Sequence, residues 1–206
     1  MAESVLTRRA INERGRKLEY FTIAWNSVEG LVSVIAGIIA GSVSLVGFGV
    51  DSFIEVTSGA ALLWRMCVDA DEHNRERVEH ITLRIIGSCF LTLAAYVCYG
   101  ALSNLIEKKP SEHSLLGIIL ACVSLVVMPL LSRAKRRVAN HLKSASMHAD
   151  AKQTEFCTYL SAILLGGLLL NAVFGLWWAD SIAGLIMVPI IAREGVDGLK
   201  GETCCD

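Results

Sequence analysis

The chain has 206 residues, a formal net charge of −1, 53% hydrophobic residues and a mean hydropathy of +0.52. A water-soluble domain of this length carries fewer apolar residues and spreads them with amphipathic periodicity, whereas here they fall in long blocks. The near-zero charge excludes a global field suited to nucleic acid, so the expected class is an all-α membrane protein whose surroundings are the lipid bilayer.

Residues 1–19 form a basic, polar lead with no apolar core of a signal peptide, expected to lie in the cytoplasm along the membrane surface. Span one is predicted over 20–40 and span two over 42–66, joined by a tight turn at Gly41 and Ser42 into a helical hairpin. The charged segment VDADEHNRERVEH (68–80) is predicted to be a loop in water. Spans three to six are predicted over 81–105, 115–131, 154–177 and 179–192. Between spans four and five, SRAKRRVANHLKSASMHADAK (132–152) reads as the longest polar connection. Each block meets the roughly 20 residues needed to cross ~30 Å of hydrocarbon, apart from a slightly short span six. The domain map is therefore a lead at 1–19, a six-helix transmembrane domain at 20–195 and a short cytoplasmic tail at 196–206.

Lys and Arg set the expected orientation. The lead carries Arg8, Arg9, Arg14, Arg16 and Lys17, and the 4–5 connection carries Arg133, Lys135, Arg136, Arg137, Lys143 and Lys152. The opposite side has only Lys108 and Lys109, which predicts six spans with the N- and C-termini both cytoplasmic. Seven cysteines, mostly inside apolar segments, do not form a disulfide framework. No Walker motif, Gly-rich dinucleotide turn or Cys-x-x-Cys occurs, so neither an enzyme nor a prosthetic group is expected.

Span two carries Asp51 and Glu55, four residues apart and hence on one helical face. Each buried acid costs roughly 2.5–3.5 kcal/mol on insertion scales, a cost tolerated where the pair faces a bundle interior and binds something positive. No basic residue reads as lying well inside another apolar segment, so a divalent cation is expected there in preference to Arg or Lys from a neighbouring helix.

The run GSVSLVGFGVDSFIEV (41–56) resembles the second transmembrane helix of the cation diffusion facilitators, which efflux zinc and related divalent metals. In that family a Gly-Ser-x-Ser run precedes Asp-x-x-x-Asp, and here the pair is Asp51 and Glu55. The resemblance covers residues ~20 to ~195 and falls to the short, transmembrane-only branch without a cytoplasmic C-terminal metal-binding domain. It implies a secondary transporter exporting a divalent cation, zinc first, in exchange for protons, as a homodimer in the plasma (inner) membrane. Dimer contacts are then expected from the membrane helices, the loops or the lead. The alternative is a membrane protein that binds metal without transporting it, as a sensor or partner subunit.

The family completes its site from span five with Ala-Asp-Ala-x-His-Thr-x-x-Asp. This chain has ADAKQTEFC at 149–157, so the family's His falls on Gln153 and its Asp on Cys157. Cys157 is a candidate thiolate ligand or a small apolar filler, and Gln153 a candidate amide-oxygen ligand. Glu155 lies about 200° around the helix from Gln153 and is either a separate ligand or an interfacial carboxylate paired with Lys152. Span one adds Asn26, a residue type the family carries there, and Glu29, three positions on. Glu29 is an extra ligand, a proton carrier or a buried neutral acid. Asp180 opens span six as an N-cap or a proton-path residue, and Asn171 is expected to hold helices together. Asp69, Asp71, Glu72 and His73 read as a solvated acidic run with weak metal capture as the alternative. Cys204 and Cys205 cannot close a tetrahedral site alone.

Overall fold

Long apolar blocks without breakers propagate as single helices, because each added residue closes one backbone hydrogen bond and hydrocarbon offers no competing partner. A computed structural model describes the backbone of residues 2–67, 72–108, 111–112, 114–142 and 145–200. It contains six helices: α1 (Ala2–Ala40), α2 (Val43–Cys67), α3 (Glu72–Ile106), α4 (Leu115–Leu142), α5 (Ala145–Phe174) and α6 (Ala179–Lys200). No strand occurs among the described residues.

The helices pack as three intimate pairs, α1 with α2, α3 with α6 and α4 with α5, and α2 additionally reaches α3, α5 and α6. Helix α2 is therefore the central element. Small residues allow the pairs to close up, as expected where dispersion rather than the hydrophobic effect drives association. A Cβ on Gly49 would lie 2.9 Å from the Gly30 carbonyl oxygen, and one on Gly87 2.7 Å from that of Gly195. Core side chains such as Leu45, Phe48, Val97, Leu164 and Met187 fill the space between α2, α3, α5 and α6.

The turn between α1 and α2 has a definite chemistry. Gly41 adopts φ 63°, and the amides of Ser42 and Gly41 bond the carbonyls of Gly37 (2.9 Å) and Ile38 (3.3 Å), the bond pair of a Schellman cap. Ser42 Oγ then accepts from the Leu45 amide at 3.1 Å and donates to Asp180 Oδ1 at 2.6 Å. Ser44 also donates to Asp180, and the Val43 amide reaches Asp180 Oδ2 at 3.1 Å. Asp180 thus caps α2 from α6, placing a carboxylate against the positive end of the α2 dipole. The Ser-x-Ser run after Gly41 is the receiving half of this staple.

Exposed and buried chemistry is inverted relative to a soluble protein. Ile38, Ile39, Tyr99, Ile106, Leu115, Val173 and Phe174 face outward, while Glu19, Asn26, Glu29, Asp51, Glu55, Lys135 and Asp150 are buried. Five described helices contain a stretch long and apolar enough to cross a membrane: Ile11–Ala40, Val43–Trp64, Gly87–Ile106, Leu115–Leu142 and Asp150–Phe174. The sixth, α6, carries Asp180 at its start and charged residues towards its end, and packs along α3. The molecule is an all-α, multi-pass integral membrane protein.

Several boundaries differ from those read off the sequence. The basic lead is not separate from span one, because α1 is continuous from Ala2 to Ala40. The charged segment 68–80 is helical from Glu72 onward, while Asp69 and Asp71 lie outside the described residues. The long polar connection at 132–152 is almost wholly helical: α4 runs to Leu142 and α5 starts at Ala145. Its Ala, Arg, Lys and Leu residues are good helix formers with no Pro or Gly among them, so polarity did not signal a loop.

The Asp180 staple predicts a stability effect. Asp180→Ala should lower the thermal midpoint of the detergent-solubilised protein, on the scale of a lost cap, about 1–2 kcal/mol. Ser42→Ala with Ser44→Ala should reproduce it. An unchanged midpoint in both variants contradicts the staple.

Candidate cation site

On α2, the buried stripe runs through Leu45, Phe48, Asp51, Ser52 and Glu55, so the 3.6-residue repeat carries both acids into the bundle with the core. Asp51 is 6% and Glu55 1% exposed. Helix α1 delivers Asn26 and Glu29 to the same region, and α5 delivers Gln153, Thr154 and Cys157. Asp51, Glu55 and Glu29 are near enough to interact electrostatically, and Cys157 lies beside Glu55.

Two hydroxyls orient the carboxylates. Ser52 Oγ donates to Glu29 Oε2 at 3.1 Å, sharing its proton with the Phe48 carbonyl one turn back. Thr154 Oγ1 donates to Glu55 Oε1 at 2.6 Å and lies 3.2 Å from the Asp150 carbonyl. The remaining oxygens are bare. Glu29 Oε1, Glu55 Oε2, Asn26 Oδ1 and Nδ2, and Gln153 Nε2 are buried without a hydrogen-bond partner. Asn26 faces Glu55, but without normal hydrogen-bond geometry. Buried polar atoms are almost always paired, so a cluster of orphans on three helices is a place where a ligand belongs. Among the described residues, no three His, Cys, Asp or Glu side chains converge tightly enough to form a closed metal cage. The cluster is open, with its acids on α1 and α2 and its thiol and amide on α5.

The sequence-predicted residues divide accordingly. Asp51, Glu55, Glu29, Asn26, Gln153 and Cys157 gather in or beside this cluster. Glu155 does not: it sits on the outer side of α5, 38% exposed, ion-paired with Arg136 of α4 and near the Tyr159 hydroxyl. Its partner is Arg136, where the sequence suggested Lys152. Asp180 lies at the opposite end of α2 in the staple, capping α2 rather than its own helix. Asn171 does act between segments, donating from Nδ2 to the Ser111 carbonyl at 3.0 Å. Cys204 and Cys205 lie outside the described residues.

One expectation is corrected outright. A basic residue does lie deep in the bundle: Lys135 is fully buried, 2.5 Å from Asp150 Oδ2 and 3.1 Å from Glu19 Oε2. The sequence suggests a polar loop for it because it sits in the run RAKRR. The signal is periodicity, since Met128, Leu131, Lys135 and Val138 follow helical i, i+3, i+7, i+10 spacing on the buried face of α4. Lys135 is not within ion-pair distance of Glu55, whose hydrogen-bond partner is Thr154, but its charge does act on Glu55 electrostatically. It belongs to a neighbouring triad that joins α1, α4 and α5.

A bundle of lipid-facing helices enclosing an acidic cluster defines a class: polytopic membrane proteins built to hold charge inside the bilayer. The chain belongs to the cation efflux family, matching the cation efflux transmembrane domain over residues 20–201. It is 27% identical over 182 residues to an uncharacterized transporter of Methanocaldococcus jannaschii, covering 85% of this chain and 64% of that protein. It is 25% identical over 169 residues to magnetosome protein MamB of Paramagnetospirillum magneticum, covering 79% of this chain and 57% of MamB. Over 113 residues it is 28% identical to the cation-efflux pump FieF of Shewanella oneidensis, covering 55% of this chain and 36% of the pump. The chain thus spans between about a third and two thirds of the length of these relatives.

Removing one member of a buried ion cluster strands the others. Lys135→Ala should cost about 3–5 kcal/mol, read as a large drop in thermal midpoint or in monodisperse yield after extraction. A wild-type midpoint rules out a structural role for the triad.

Proposed function

We propose that the protein is a secondary transporter that exports a divalent metal cation, zinc foremost, in exchange for protons. The supporting observation is a charge imbalance. Glu19, Glu29, Asp51, Glu55, Asp150 and Asp180 are buried, and Lys135 is the one buried base among the described residues. In a low-dielectric bundle the missing positive charge must come from protons or from a bound cation. An acid that must lose its proton to ligate metal makes the two alternatives exclusive, which is the linkage an antiporter needs.

In this reading Asp51 and Glu55 are the primary ligands, with oxygens that hold zinc at about 2.0–2.2 Å. Cys157 contributes a sulfur donor, Gln153 an amide oxygen, and Glu29 with Asn26 a further ligand or the proton path. Glu155 is set aside as a ligand because its carboxylate is engaged by Arg136 on the outer face. Both termini are assigned to the cytoplasm from the Lys and Arg distribution, in a plasma (inner) membrane, and the working unit is a homodimer. Membership in the cation efflux family, and a relative named a cation-efflux pump, support the transport class.

A second reading is a membrane protein that binds the metal without moving it, as a sensor or partner subunit. It is favoured by the absence of a closed three-ligand cage among the described residues. Zinc flux into sealed proteoliposomes separates the two: binding without flux retires the transporter.

Asp51→Asn keeps the side-chain shape and removes its charge. We expect it to abolish flux and to weaken zinc binding by about tenfold or more, with the protein still folded. Normal binding and flux in this variant leave the carboxylates as structural groups and remove the main support for transport.

A further inference from the structure

A crevice of about 10 Å³, room for roughly one water-sized sphere, lies among α2, α3, α5 and α6. Three polar residues line it: Asp51, Gln153 and Glu194, against an apolar wall that includes Phe90 and Phe156. Glu194 lies on α6, in a stretch that reads as the solvated end of a span, and nothing in the motif pattern singles it out. Yet its Oε1 is buried without a hydrogen-bond partner. Asp51, 94% buried, accepts no hydrogen bond from a described residue and interacts electrostatically with Glu194 across the gap. The Asp51 carboxylate and the orphaned Oε1 of Glu194, on different helices, thus border one space about the size of a water molecule, beside the rings of Phe90 and Phe156. Low-dielectric walls focus the field of such acids and raise the local concentration of cations.

We propose that Glu194 is the outer station of the cation path, receiving a divalent cation at the mouth of this crevice and passing it to Asp51. This rests on the assignment of Asp51 as a cation ligand. The mouth also holds a competing positive charge. Lys152 lies near Glu194 and stands 5.8 Å from the centre of the Phe156 ring. Arg193 and Asp197 flank Glu194 on its own helix. Lys152 therefore opposes the arriving ion, so removing the acid and removing the base should act in opposite directions.

The test is the association rate of zinc alone with the purified full chain in detergent, measured by stopped flow, alongside thermal midpoints. Glu194→Gln should slow association by about tenfold at low ionic strength, with the difference shrinking as salt is raised. Glu194→Asp should restore most of the rate, and Lys152→Gln should speed it. A wild-type rate in Glu194→Gln overturns the proposal. So does a slower rate in Lys152→Gln, which would mark Glu194 and Lys152 as a structural ion pair. Should Glu194→Gln not survive extraction, Lys152→Gln decides alone: a faster rate supports the station, and an unchanged or slower one overturns it. Asp51→Asn, measured in parallel, separates the two assignments. If it loses zinc binding while Glu194→Gln is normal, only the outer station falls. If both bind zinc normally, the assignment of Asp51 itself has failed.

Discussion

The structure depends on how a membrane-embedded bundle accommodates the six buried acids and one buried base among its described residues. Hydrocarbon supplies neither water nor counterions, so each charge must be matched within the protein or by something it binds. The chain solves this differently at three levels of the bundle. At the start of α2, Asp180 is solvated by hydrogen bonds, two from serine hydroxyls and one from a backbone amide. Near the other end, Glu19 and Asp150 share the Lys135 ammonium. In between, Glu29, Asp51 and Glu55 have two orienting hydroxyls and no ion pair of their own among the described residues, and Glu29 Oε1 and Glu55 Oε2 are left without a hydrogen-bond partner. The capping aspartate is fully bonded, the lysine triad shares one ammonium between two acids and leaves Glu19 Oε1 and Asp150 Oδ1 without a hydrogen bond, and the middle group has no described basic side chain within ion-pair distance.

That arrangement also explains why α2 is central. It is anchored at its start by the staple from α6, pressed to α1 where Gly30 and Gly49 meet, and tied to α5 through Thr154 and Glu55. The Thr154 contact matters because α5 carries the lysine-bound Asp150 one turn earlier. Movement of α5 relative to α2 would disturb the hydroxyl on Glu55 and the ion pair at Lys135 together. The proposed cation site and a structural charge cluster are thus neighbours on one helix.

Much of this was legible in the sequence, because it rests on local rules. Blocks of some 20 apolar residues report helices, four-residue spacing reports that Asp51 and Glu55 share a face, and Gly41 reports the turn. What failed did so where polarity stood in for exposure. Lys135 sits among four basic or small residues that face elsewhere, and only its phase with Met128 and Leu131 reveals its burial. Glu19 hides in a lead that looks solvated but continues α1. Asp180 reads from the sequence as a cap on its own helix or a proton-path residue, whereas it caps α2 from 136 to 138 residues away in sequence. Glu194 could not be found from spacing at all, since its partner Asp51 lies on another helix. Long-range pairings of this kind leave no periodic trace.

The central claim is that a divalent cation binds between α1, α2 and α5 at Asp51 and Glu55. The most direct measurement is an anomalous difference map at the zinc edge from crystals grown with zinc. The account predicts a peak within about 2.0–2.2 Å of a carboxylate oxygen of each residue, on the side where Glu55 Oε2 is unpaired. A map with that position empty at saturating zinc, or with the metal held only by loop residues, contradicts it.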